Sequence, residues 1–122
     1  MTNHTILCVA DNISSAQSLA ARLQQAGYAA HSAASASQAT ALLFVNRSVE
    51  AVVLDQRTKP DTGLTVARLL RSFRRDIPIL LLSADVVDPL PSCIDGAVCT
   101  TAGIEGLLPM LDLVLDAPPT AA

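Results

Sequence analysis

Two carboxylates, Asp11 and Asp55, each follow an apolar run: Ile6-Leu7-Cys8-Val9-Ala10 before the first and Ala51-Val52-Val53-Leu54 before the second. A third run, Ile77 to Leu82, ends at the hydroxyl of Ser83. Runs of this kind read as strands buried on both faces of a parallel sheet, and ligands gather outside the carboxyl ends of such strands. Two acids brought within a few ångströms repel, which favours a divalent cation between them. Mg²⁺ suits such a pair because it needs few protein oxygens and keeps several waters. One carboxylate could then act as nucleophile toward a phosphoryl group while a hydroxyl such as that of Ser83 donates to a phosphoryl oxygen. An Asp at a strand end also caps the helix that follows, and for Asp11 that reading stays open.

The elements that must position these groups alternate along the chain. Thr5 to Ala10 is the first strand, and Asn12 or Ser14 can cap a helix with apolar positions Ala16, Leu19, Ala20 and Leu23. Gly27 suits the position just past it. Tyr28 to Ser32 reads as a short Ala-rich strand, and Ser35 or Ser37 opens a second helix to about Asn46. Ala51 to Leu54 is the third strand, followed by a polar loop from Gln56 to Thr62. Gly63 to Arg75 is a helix whose Val66, Leu69, Leu70 and Phe73 form an apolar stripe. Arg68, Arg71 and Arg75 lie opposite, as a solvated face or a partner patch. Ile77 to Leu82, Ala97 to Cys99 and a helix from Ile104 to Leu115 complete the pattern. Five strands alternating with helices predict a doubly wound α/β sandwich with a parallel sheet and right-handed crossovers.

Length and composition fit one domain over residues 1–116, with 117–122 as a tail or linker; the chain has 122 residues, 51% apolar and 16% charged. A net charge of −3 gives no general attraction to phosphate backbones, and one Tyr, two Phe and no Trp make a poor base-stacking surface, so no nucleic-acid partner is expected. No apolar stretch approaches the roughly 18 to 20 residues of a membrane span. The N-terminus lacks a signal-peptide pattern, which points to the cytoplasm. Cys8, Cys93 and Cys99 show no disulfide or zinc spacing, and Cys8 and Cys99 read as small core residues. His4 and His31 have no partner at metal-ligand spacing and receive no function.

Ile6 to Asn12, Val52-Val53-Leu54-Asp55 with Gly63-Leu64 following, and Ile77-Pro78-Ile79-Leu80-Leu81-Leu82-Ser83-Ala84 together resemble response-regulator receiver domains, the phosphoacceptor modules of two-component signalling. The resemblance spans about residues 5 to 115. It implies a flavodoxin-like fold with helices on both sheet faces and no enzymatic role. It further implies a phosphoacceptor at Asp55, with phosphate coming from a histidine kinase or phosphotransfer protein. Mg²⁺ would be held by Asp11, Asp55 and the backbone carbonyl of Arg57, and Ser83 would be the switch hydroxyl.

Departures from the family pattern are equally specific. The family has two adjacent acids after the first strand, and here the first is Ala10, which weakens Mg²⁺ binding. The family's last strand ends in an aromatic, two apolar residues and Lys-Pro; here Ala97-Val98-Cys99-Thr100-Thr101 stands there, with Thr100 at the lysine position and Ala97 at the aromatic. The only lysine is Lys59, in the loop after Asp55. The segment between Ser83 and Thr100 is short and carries Pro89 and Pro91, so the fourth helix is expected to be shortened or irregular. Met110 and Leu113 fall outside the stripe of the last helix and would suit a homodimer or docking on another domain of a longer parent protein. Two readings follow. In one, Asp55 accepts phosphate in an incomplete site. In the other, a pseudo-receiver works through protein contacts without phosphorylation. A nucleotide-binding enzyme finds no GxGxxG, GxxxxGK[ST] or GxSxG motif.

Overall fold

The computed structural model describes residues 4–56, 62–85, 91–99 and 106–116. In chain order these form β1 (Thr5–Val9), α1 (Ile13–Gln25), β2 (Ala29–Ala33), α2 (Ala36–Val45), β3 (Val49–Asp55), α3 (Thr62–Phe73), β4 (Ile79–Ser83), β5 (Gly96–Cys99) and α4 (Leu107–Asp116). All five strands are parallel, in the order β2-β1-β3-β4-β5. This is the flavodoxin-like doubly wound sheet, whose order reverses between β1 and β3. The reversal opens a crevice at the carboxyl ends of these two strands, where Asp11 and Asp55 lie.

Alternation along each strand divides the core between two faces. Ile6, Cys8, Val53, Leu80 and Leu82 pack with Leu19 and Leu23 of α1 and with Leu107 and Leu111 of α4. Leu7, Val9, Leu54, Ile79 and Leu81 pack with Leu43 of α2 and with Val66 and Leu70 of α3. Each fully buried aliphatic side chain contributes about 1.5–3 kcal/mol.

Local chemistry sets the helix ends. The Asn12 side chain accepts from the Ser15 amide at 2.8 Å, which makes Asn12 the cap of α1. At the other end Gly27 adopts φ +101°. There Tyr28 N–H donates to Leu23 C=O at 3.0 Å and Gly27 N–H to Gln24 C=O at 3.1 Å, the double bond that ends a helix on a left-handed glycine. Ser35 caps α2 through the Gln38 amide. Pro109 sits in the first turn of α4, where its missing N–H costs nothing.

Three expectations about burial need correction. Leu69 and Phe73 do not belong to the buried stripe of α3; they are 44% and 45% exposed, and Val66, Ala67 and Leu70 face the sheet instead. Cys99 is exposed rather than a core residue, with its thiol donating to the Ala84 carbonyl at 3.5 Å. Met110 is not exposed, because it packs on β5, where a Cβ added to Gly96 would lie 2.9 Å from its Sδ.

Four helices are present among the described residues, and none lies between β4 and β5. There the chain turns at 91–94, buries Ile94, and pairs Asp95 N–H with Ile79 C=O at 2.8 Å. Residues 86–90, with Pro89, lie outside the described residues. Arg71 secures this segment. Its guanidinium donates to the carbonyls of Arg75 and Ile77, each at 2.7 Å, to Cys93 C=O at 3.2 Å and to Asp95 Oδ2 at 2.6 Å. Asp95 Oδ2 also accepts from Ile79 N–H at 2.7 Å. Arg71 is thus a tether between α3, β4 and β5, neither a solvated charge nor a partner contact. Arg71→Ala leaves three carbonyls and a carboxylate to find water, and an unfolding titration in urea should show a loss of about 2 kcal/mol.

Candidate functional site

Asp55 is the last residue of β3, beside Leu82 of β4, and is only 9% exposed. The ladder continues one residue further, with Gln56 N–H donating to Leu82 C=O at 2.9 Å, so the backbone under Asp55 is held on the β4 side. Ser83 ends β4 and is buried; its Oγ accepts from Asp85 N–H at 3.2 Å, which leaves its own proton available to a ligand. Asp11 is half-buried two residues beyond β1, and β1 pairs with β3 through Val9 and Leu54. Asn12 donates to Asp11 Oδ1 at 3.3 Å and itself caps α1, so capping is not the role of Asp11. Three of the residues singled out in the sequence therefore stand at adjacent strand ends. Arg57, Lys59 and Thr100 lie outside the described residues; Cys99, which precedes Thr100, pairs with Ser83.

The electrostatics agree with this placement. The Cys8 thiol, in β1, has its pKa pushed up from 9.0 to about 12, first by burial and second by the negative charge of Asp55. Burial penalises a thiolate, and a carboxylate close by penalises it further. A raised pKa means that the protonated thiol stabilises the fold fully below pH 9, and that this contribution is lost as pH climbs from 9 toward 12. By pH 10 the loss should be about 1.4 kcal/mol, seen as a steeper alkaline fall in stability than for Cys8→Ala. At pH 8 a thiol reagent should label Cys99 in the folded chain and leave Cys8 unmodified until unfolding.

The donor set fits Mg²⁺ with a reduced complement. Asp11 and Asp55 offer two hard carboxylates, while the neighbouring Ala10, 6% exposed and bonded through its N–H to Ala33 C=O at 3.1 Å, has no side-chain oxygen to add. Among the described residues no group of three or more His, Cys, Asp or Glu side chains is placed to hold a metal.

One residue escaped sequence reasoning. Gln56 follows Asp55 and is 8% exposed, and its Oε1 is buried without a hydrogen-bond partner. Such an orphaned acceptor costs about 1–3 kcal/mol. A Gln after an apolar run reads only as the start of a loop, so no sequence signal marked it.

Residues 6–104 match the model of the response regulator receiver domain. The chain belongs to the receiver family. Solved structures agree with that assignment. This receiver is 27% identical to the response regulator TrrA of Thermotoga maritima, solved in complex with Mg²⁺-BeF, with a TM-score of 0.75 over 89% of this chain and 96% of that one. It is also 27% identical to the chemotaxis response regulator CheY4 of Vibrio cholerae, with a TM-score of 0.76 over 93% and 99%. A receiver domain protein from Clostridium thermocellum, at 13% identity, shares the fold with a TM-score of 0.78 over 93% and 94%. Comparison with curated protein sequences gave no match. Among the described residues of this receiver no helix is long and apolar enough to cross a membrane.

Proposed function

We propose that this receiver accepts a phosphoryl group on Asp55 from a phosphohistidine of a histidine kinase or phosphotransfer protein in the cytoplasm, through an incomplete site. The observation that carries this reading is the buried Asp55 carboxylate at the switch point, with Asp11 and Ser83 at the neighbouring strand ends. A carboxylate Oδ of Asp55 attacks phosphorus of a phosphohistidine that is protonated on its other ring nitrogen; the P–N bond breaks and its electron pair leaves with the imidazole nitrogen, giving an acyl phosphate and a neutral histidine. The Ser83 hydroxyl donates to a phosphoryl oxygen. Asp11, Asp55 and the Arg57 carbonyl would hold Mg²⁺, which when bound offsets the charge of the transferring group.

The site departs from the family pattern at three positions. Ala10 removes one negative charge from the cation site. Thr100 supplies a hydroxyl where the family pattern places an ammonium, and Ala97 replaces the switch aromatic. Phosphorylation is therefore weakly coupled to shape. The alternative, a phosphorylation-independent module, draws on the same departures. On α4, Leu113, 70% exposed, offers a contact for a second copy or for another domain. Met110, packed against Gly96, contributes to that surface only from beneath.

Trifluoroberyllate with Mg²⁺, titrated into ¹⁵N-labelled chain, tests the coupling. Amide shifts should stay near the ends of β1, β3 and β4. Large shifts spreading through β5 and α4 would refute weak coupling, and no shift at any strand end would favour the phosphorylation-independent reading.

A further inference from the structure

The chain has two phenylalanines, and both are on the surface. Phe44, near the end of α2, is 67% exposed, and Phe73, at the end of α3, is 45% exposed; their rings meet at 6.0 Å between centroids, tilted by 51°. Val45 at 75% and Leu69 at 44% extend the apolar surface. Between the helices runs a groove of about 460 Å³ lined by Leu43, Phe44, Arg47, Phe73 and Arg74. An otherwise aliphatic core thus leaves its largest apolar side chains in water, together and around a concavity, which folding alone does not reward.

Charge gives the groove a polarity. Arg47 has no ion-pair partner among the described residues, and Arg74 is held loosely, 3.5 Å from Val49 C=O and 3.7 Å from the exposed Asp76. Arg68 and Arg75, on and just past α3, are exposed as well. On a molecule of net charge −3 this is a local excess of cations beside aromatic rings. α2 and α3 end where β3 and β4 begin, so the groove lies at the opposite end of the sheet from Asp55.

We propose that the α2–α3 groove docks an acidic amphipathic segment of a partner protein. Its apolar side chains pack into the groove against the paired rings of Phe44 and Phe73, and its carboxylates reach Arg47 and Arg74. Charge complementarity selects this occupant. A second copy packed symmetrically would oppose arginine to arginine, and a net negative molecule with a concave patch is poorly suited to an anionic lipid surface. The proposal does not depend on phosphorylation of Asp55.

The probe is a synthetic helical peptide with Leu and Phe along one stripe and Glu elsewhere, compared with a twin carrying Lys for Glu and titrated into the ¹⁵N-labelled chain. The acidic peptide should bind saturably and shift amides at residues 42–47 and 69–75. Phe44→Ser and Arg47→Glu, both at exposed positions and checked for folding by circular dichroism, should each weaken it roughly ten-fold, as loss of an anchor at a docking site does. Equal binding of the Lys twin, no binding at millimolar peptide, or shifts confined to the strand ends would overturn the proposal. So would self-association abolished by Phe44→Ser, or binding to phosphatidylglycerol vesicles without peptide binding.

Discussion

A Thr100→Lys chain treated with phosphoramidate and Mg²⁺ is expected to carry at least about ten times as much acyl phosphate at Asp55 as the native chain. Phosphorylation replaces the single charge of the Asp55 carboxylate with about −1.5 to −2 on the phosphoryl group at neutral pH, beside the carboxylate of Asp11. The native chain has nothing cationic at position 100 to balance it. Unit charges about 4 Å apart attract by about 4 kcal/mol at the dielectric of a partly buried site, and a third of that is a factor of ten. Thr100→Ala removes only a hydroxyl and should leave the yield near the native level. Intact-mass measurement of the phosphorylated fraction over time separates the cases. Equal yields in native and Thr100→Lys chains would show that charge at this position does not limit the reaction.

Leu80→Ala should destabilise the fold by about 3 kcal/mol, the range for a large-to-small change in a close-packed core. Leu80 is fully buried in β4, between Val53 of β3 and Gly96 of β5, with its Cδ2 3.2 Å from where a Cβ on Gly96 would stand. Strands on both sides fix the backbone, so the cavity has little room to collapse. Against a typical total of roughly 5–15 kcal/mol, a thermal melt should show the midpoint lowered by about 10 °C. Phe44→Ser serves as the contrast, because Phe44 is 67% exposed and should leave the midpoint nearly unchanged.

Where burial is strict, the sequence told the outcome. Ala16, Leu19, Ala20 and Leu23 recur at helical spacing, and all four are buried against the sheet. The runs before Asp11 and Asp55 are uniformly apolar because a parallel strand is covered on both faces, and this placed both acids at strand ends. The α3 stripe misled because Leu69 and Phe73 also recur at helical spacing. Periodicity finds an apolar face but not which of two adjacent faces meets the sheet, and here Ala67 took the inner position. Cys99 lies outside the core because β5 is an edge strand whose last residue leaves the packed layer. Met110 looked free because nothing in α4 reports that β5 has a glycine opposite it. Tertiary pairings such as Arg71 with Asp95, and the unpartnered side-chain oxygen of Gln56, carry no local pattern at all.

Phosphoryl transfer to Asp55 is tested most directly by intact-mass spectrometry of the native chain and Asp55→Asn, incubated with phosphoramidate and Mg²⁺ beside an ordinary receiver. A partial gain of one phosphoryl group in the native chain, lower than in the ordinary receiver and absent from Asp55→Asn, is the predicted result. No gain in the native chain while the ordinary receiver is labelled, or an equal gain in Asp55→Asn, would contradict it.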